Sequence, residues 1–206
     1  MVFSAVVLAN VKPLMGRPKG LVEVNGRPMI EYVLDAIPPD VSDIMIAVNE
    51  VDESAYEEIY DRYLARPLTM TEKEKEFAKQ LHKYLKDAQG SSLLVLPCDT
   101  PLITQAITMF LLDVSKKFAA AIPRTFSGRN EFVPAAYQVK PFIEAINMNP
   151  NLNMDELVRK IRNILYINMQ SFKAFDPKLH FIHHINNKDD VRRVSEILKK
   201  ISKEEE

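Results

Sequence analysis

Residues 2 to 9, Val-Phe-Ser-Ala-Val-Val-Leu-Ala, are apolar and β-branched with only Ser4 interrupting. A strand with one wet face alternates polar and apolar residues, whereas an unbroken run suits a central strand covered on both faces. Similar runs recur at Asp43–Val48 and Ser92–Pro97, and each precedes sequence with helical periodicity. Strands that alternate with helices need crossover connections. The expected fold is therefore α/β, a three-layer α/β/α sandwich around a mostly parallel sheet.

Leu21–Gly26 reads as a short extended piece closed by an Asn-Gly turn, and Pro28 opens an amphipathic helix through Ile30, Val33, Leu34 and Ile37 that Pro38-Pro39 stops. Helical sequence follows over about 52–64. A second helix is expected from Thr71, with Glu74 at capping-box spacing, to Ala88, so that about 52–90 forms a helical insert. Its aromatics, Tyr56, Tyr60, Tyr63, Phe77 and Tyr84, suit either packing on the sheet or a dimer surface, and monomer and homodimer both stay open. Further on, Thr104–Val114 reads as a helix, Phe118–Ile122 and Phe132–Val139 as strands, and Pro141–Asn147 and Met154–Ile164 as helices. A last strand over Phe181–Asn186 and a helix over Lys188–Ile201 precede a frayed charged tail at about 202–206. No repeat or linker divides the chain, so one domain over residues 1–206 is expected.

With 27 Lys and Arg against 28 Asp and Glu, the net charge is −1. That balance argues against coating nucleic acid or an anionic membrane, which needs a surplus of cations. Cys98 is the single cysteine, so no internal disulfide is possible, and a reducing cytoplasm is expected. The apolar N-terminus lacks a basic flank and is too short to span a bilayer. The five glycines are few, where average usage predicts about fourteen. Three of them, Gly16, Gly20 and Gly26, fall within the first 26 residues, which fits either ordinary turns or a ligand loop after the first strand.

Ligands of open parallel sheets bind beyond the carboxyl ends of the strands. After the first strand, Asn10–Gly20 carries Lys12, Arg17 and Lys19 and no acid, a composition that suits a polyphosphate. Its glycine spacing is that of neither a Walker loop nor a dinucleotide-binding loop. After the third strand comes Pro97-Cys98-Asp99-Thr100-Pro101. An Asp delivered there can hold Mg²⁺ through one carboxylate while substrate phosphates complete the octahedron. Thr104 is better placed than Asp99 to cap the following helix, and Cys98, with no His nearby in sequence, reads as a small core residue. Asn49 could read a base edge or close a turn. His183 and His184 alternate across their segment, so they cannot share a metal, and neither has a partner at metal-site spacing. Asn186 would face the same edge as Asp99, and Asn187 suits an N-cap.

Together these landmarks resemble the molybdenum cofactor guanylyltransferase family and its nucleotidyltransferase relatives. Leu8-Ala9, Met15-Gly16, Lys19, Gly26-Arg27-Pro28-Met29-Ile30, Pro97-Cys98-Asp99-Thr100-Pro101 and the Asn186–Val191 segment follow the family's motifs in order. The resemblance implies a Rossmann-like nucleotide-diphospho-sugar transferase fold. It also implies Mg²⁺-dependent transfer of GMP from GTP onto a phosphorylated acceptor such as molybdopterin, with release of pyrophosphate. Leu8, Ala9, Asn10, Lys12, Gly16, Lys19 and Asn49 would bind the nucleotide, Lys19, Asp99 and Arg17 would be catalytic, and Asp99 and Asn186 would hold the metal. Cobinamide-phosphate guanylyltransferases are similar relatives, and a non-catalytic nucleotide- or protein-binding member of the fold is the rival reading. The chain departs from the family where Asn10 and Val11 replace paired glycines, where Leu14 replaces an arginine, and where a Gly-Pro-Leu-Ala-Gly segment is missing.

Overall fold

The computed structural model describes residues 2–71 and 76–204. Its centre is a seven-stranded sheet built from β1 (Phe3–Leu8), β4 (Val41–Asn49), β5 (Arg66–Met70), β6 (Ser92–Pro97), β7 (Ala120–Arg124), β8 (Ala135–Gln138) and β9 (Ile164–Asn168). The spatial order is 5-4-1-6-8-7-9, and β8 alone runs against its neighbours. A small hairpin, β2 (Glu23–Val24) with β3 (Arg27–Pro28), stands apart from the sheet.

Alternate residues of β1 enter opposite cores. Phe3, Ala5 and Val7 face one cluster that contains Ile30, Val33 and Leu34 of α1 (Met29–Asp35) and Ile107 and Leu111 of α4 (Gln105–Ser115). Val6 and Leu8 face a second cluster with Leu81, Tyr84 and Leu85 of α3 (Phe77–Asp87), Phe142 and Ile146 of α5 (Val139–Met148) and Leu157 of α6 (Met154–Val158). Helices thus cover both faces, which is why β1 tolerates no polar alternation. Ser4, the one hydroxyl, is satisfied by donating to Asp43 Oδ2 at 2.6 Å and accepting from Gly90 N at 2.8 Å.

Several expectations need correction. The stretch about 52–90 is not wholly helical: after a 3-10 turn over Glu50–Tyr56 and α2 (Glu57–Tyr63), β5 pairs in parallel with β4 at the sheet edge. Pro67 fits there because an edge strand leaves one row of N–H groups unpaired. Helix α3 begins at Phe77, and the capping box with Glu74 lies outside the described residues. The helix expected over Met154–Ile164 ends at Val158, and Ile164 opens β9, because Asn163 adopts a left-handed φ of 63° between them. Phe181–Asn186 is not a strand. A 3-10 turn over His180–Ile182 leads into irregular chain, and Phe181 and Ile185 are buried in two different clusters instead of on one sheet face. The final helix, α7 (Lys188–Glu204), runs past Ile201 into the expected tail.

Candidate active site

The direction of chain winding reverses beside β1. From β1 the chain moves outward to β4 and β5, then crosses back to place β6 on the other side. Such a switch point opens a crevice at the strands' carboxyl ends. The loop leaving β1 and the segment leaving β6 both enter it.

The first loop is folded by two devices. Leu14 and Arg17 exchange backbone hydrogen bonds of 2.9 and 3.1 Å around Met15 and Gly16, whose φ values of 52° and 75° make a tight hairpin turn. A 3-10 turn over Lys19–Leu21 then carries the lysine back towards β6. Gly20 is required there, since a Cβ would lie 2.9 Å from the hydroxyl oxygen of the fully buried Tyr56.

Lys19 Nζ sits 2.5 Å from Asp99 Oδ2 and 3.0 Å from Asn186 Oδ1, drawing together residues 80 and 167 positions distant from it. The Lys19 and Asp99 side chains are each 12 % exposed. The other carboxylate oxygen, Oδ1, meets His184 Nδ1 at 2.8 Å. Burial pushes the Asp99 carboxyl up, but His184 and Lys19 outweigh it and hold the group below the usual carboxylate range. Asn186 is fixed in turn by α7. The Asn187 side chain accepts from Asp190 N at 2.9 Å, while Asp190 Oδ2 accepts from Asn186 N at 3.0 Å and Asn187 N at 3.2 Å. Asn187 is thus the cap of α7 in a reciprocal box, and it leaves Asn186 on the crevice side.

The remaining candidates fall elsewhere along the same edge. Asn10, Lys12 and Asn49 line a hollow of about 560 Å³ with Glu50, Asp52 and Met70. Asn49 Nδ2 donates to Asp52 Oδ2 at 3.2 Å. Leu8 and Ala9 are core residues, and the Leu8 carbonyl accepts from Cys98 N. Gly16 lies at the hairpin tip. Arg17 is not gathered with Lys19 and Asp99: its side chain is 66 % exposed and lies 3.9 Å from Glu23. Cys98 is buried, and burial pushes its thiol well up, which fits a core residue. Thr104 is the residue that precedes α4, five positions beyond Asp99.

His184 is the residue that sequence reasoning passed over. His183 turns the other way, its ring 5.8 Å from that of His180, whereas His184 reaches Asp99 and also lines a second hollow of about 210 Å³ with Arg129, Val133, Met169 and Phe181. The available signal was its position two residues before Asn186.

Among the described residues no three His, Cys, Asp or Glu side chains gather into a metal cage. The oxygens that converge are one carboxylate oxygen and one amide oxygen, with a lysine ammonium standing between them. Hard oxygen donors already arranged around a cation fit Mg²⁺, which usually takes one or two carboxylates and completes its shell with waters and substrate phosphates.

The family model described as the MobA-like NTP transferase domain matches residues 14–164. The chain belongs to that family. A molybdenum cofactor guanylyltransferase from Shewanella sp. (strain MR-4) is 32 % identical over 143 residues, covering 67 % of this chain and 68 % of its own. Among solved structures, molybdopterin-guanine dinucleotide biosynthesis protein A from Archaeoglobus fulgidus superposes with a TM-score of 0.73 at 23 % identity, covering 96 % of this chain and 99 % of its own. A 4-diphosphocytidyl-2C-methyl-D-erythritol synthase from Anaerococcus prevotii superposes at 0.72 with 15 % identity, over 96 % and 98 % of the two chains. By family this MobA-like chain is a nucleotidyltransferase, and its fold is the one its strand pattern predicts. Its family match starts at Leu14, just beyond Asn10 and Val11. No helix among the described residues is long and apolar enough to cross a membrane.

Proposed function

We propose that the protein transfers GMP from GTP onto a phosphorylated acceptor of the molybdopterin type, in a Mg²⁺-dependent reaction that releases pyrophosphate. The observation that carries this reading is the meeting of Lys19, Asp99 and Asn186 at the switch point of a MobA-like fold. The hollow beside Asn10, Lys12 and Asn49 has the volume of a nucleotide site. The smaller hollow beyond His184 is where an acceptor would approach from the opposite side.

Asp99 and Asn186 would hold Mg²⁺, which when bound would neutralise phosphate charge. Lys19 leaves Asp99 to hold the triphosphate, and Lys12 adds a second cation from the loop. An oxygen of the acceptor phosphate attacks the α-phosphorus in line, the new P–O bond forms, and the bond to the bridging oxygen breaks to free pyrophosphate. An acceptor that is already an anion needs no general base. The protein's work is then positioning and charge neutralisation.

Pyrophosphate release from GTP and molybdopterin with Mg²⁺ tests this directly, with CTP and ATP as alternative donors and adenosylcobinamide phosphate as alternative acceptor. Asp99→Ala is expected to lower the rate by at least about 10²-fold. The side chains at Asn10 and Val11 favour a second reading, a nucleotide-binding protein without turnover. Tight Mg²⁺–GTP binding with no pyrophosphate from any donor and acceptor would establish that reading instead.

A further inference from the structure

The two oxygens of Asp99 have separate partners. Oδ2 faces Lys19, which also touches Asn186, while Oδ1 faces His184 Nδ1 at 2.8 Å. A carboxylate turns about a soft terminal torsion. A contact to one oxygen therefore decides where the other points. We propose that His184 is a positioning residue that locks the rotation of the Asp99 carboxylate, so that Oδ2 stays aimed at the place shared by the Lys19 ammonium and the incoming cation. The role rests on the metal–nucleotide reading above.

Three observations carry it. An ionised carboxylate only accepts hydrogen bonds, so the imidazole donates from Nδ1. The backbone also fixes the approach, because Ile185 N donates to the Asp99 carbonyl at 2.9 Å and Ile185 is fully buried, which pins the neighbouring His184 against the segment leaving β6. The ring meanwhile lines the 210 Å³ hollow. Groups that orient a metal-binding carboxylate typically control metal affinity by about 10–100-fold.

Asparagine keeps a donor in the place of the histidine Nδ1, since its Nδ2 is likewise bonded to Cγ, while direct ligation by the imidazole is read separately, from ¹⁴N modulation of the electron spin echo of bound Mn²⁺. Mn²⁺ binding without nucleotide, followed by the loss of the free-ion electron paramagnetic resonance signal, is measured for the wild type, His184→Ala, His184→Asn and Asp99→Ala, each first checked for a folded circular dichroism melt. The expected result is at least about tenfold weaker Mn²⁺ binding in His184→Ala, with most of it restored in His184→Asn. Unchanged binding in His184→Ala, with loss in Asp99→Ala, overturns the role of His184 while leaving the metal reading intact. Equal loss in the Ala and Asn variants overturns positioning through a donated hydrogen bond, and imidazole ¹⁴N coupling to Mn²⁺ bound by the wild type overturns it in favour of ligation. Unchanged binding in Asp99→Ala overturns the metal reading and this role together. Should the alanine variant not fold, ¹⁵N spectra of the wild-type histidines decide: a His184 ring protonated at Nε2 alone contradicts the proposal.

Discussion

Replacing Lys19 with methionine should have opposite effects on two ligands. The ammonium stands 2.5 Å from Asp99 Oδ2 and 3.0 Å from Asn186 Oδ1, with the Lys19 and Asp99 side chains 12 % exposed. Methionine keeps the length of the stem and removes the charge. Breaking a fully buried ion pair costs about 3–5 kcal/mol, but here His184 still holds the carboxylate and the crevice admits water. A cost of about 1.5–3 kcal/mol, that of a hydrogen bond to a charged group, is expected. At roughly 2–4 °C per kcal/mol for a chain of this size, the melting temperature falls by several degrees. In the wild type a divalent cation must displace the same ammonium, so its removal should raise the affinity for Mn²⁺ alone by about one to two orders of magnitude. GTP should bind more weakly, because the phosphates lose a cation. Thermal shift with Mn²⁺ alone and with GTP alone reads both signs. If Lys19→Met binds Mn²⁺ no better than the wild type, the lysine and the metal do not share a place, and the assignment of Asp99 and Asn186 as metal oxygens fails.

Three further outcomes follow from the fold. Asp43→Asn should cost about 3 kcal/mol in chemical denaturation, because the Asp43 carboxylate, only 3 % exposed, accepts from Ser4, from Arg66 Nε at 2.9 Å and from Gln89 N at 3.0 Å. Burial pushes that carboxyl up, yet Arg66, Gln89 and Ser4 hold it below its ordinary value. Its contribution is therefore present above about pH 4 and is lost as the pH falls through the folded value; a difference between wild type and variant that persists undiminished at pH 2 would contradict this. Gly90→Ala places a Cβ 2.7 Å from both Ser4 N and Val2 O, backbone atoms of β1 and its approach, and should cost on the order of 3 kcal/mol; unchanged denaturant midpoints would refute the contact. Asp190→Ala removes half of the α7 capping box and should cost about 1 kcal/mol, with weaker Mn²⁺–GTP binding through the freed Asn186, whereas equal stability and binding would detach α7 from the site.

Central strands were legible because burial on both faces leaves a mark in sequence. β1, β4 and β6 have it, and their observed spans fall close to the expected ones. The edges were less legible for a physical reason. β5 contains Pro67 and two exposed or half-exposed polar positions, and β9 follows a left-handed Asn163 inside what reads as one helical pattern. β5 carries no full apolar signature because only Leu68 and Met70 are buried, both in one core, whereas β9 is apolar from Ile164 to Ile167 and merges with the helical pattern before it. For the site, Lys19, Asp99 and Asn186 could be proposed from their places at strand ends and in family motifs. Arg17 could not be separated from Lys19, since two residues of spacing do not reveal that a 3-10 turn sends one inward and leaves the other beside Glu23. His184 was hidden by a sound local argument. Metal-site spacing looks for partners nearby in sequence, and its partner lies 85 residues away.

The loss of the paired glycines bears on phosphate binding without disturbing how Lys19 is delivered. A third small core of Val22 and Val24, Met29, Leu102, Ile185 and Val194 ties together the hairpin after the first loop, the segment after Asp99, the approach to Asn186 and the last helix. Asn25 Nδ2 adds a bond to the Ser195 carbonyl at 3.2 Å. Lys19, Asp99 and Asn186 are each within a few residues of that cluster, so their mutual geometry is set by packing behind the crevice. A tight approach occurs instead at Gly20, against Tyr56. What changes at Asn10 and Val11 is the wall of the hollow proposed for the nucleotide. Glycines there would let backbone N–H groups close on the phosphates, and side chains hold them back. On the function proposed here, the phosphate contacts would come mainly from side-chain ammonium groups, Lys12 and Lys19. A phosphate contact from the exposed Lys12 is screened by salt more than one from the buried Lys19 or from oriented backbone donors. A nucleotide affinity that falls steeply as ionic strength rises from 0.05 to 0.5 M, about one Debye regime to the next, is the expected signature, and a salt-independent affinity would mean that backbone donors of the loop reach the phosphates despite Asn10 and Val11.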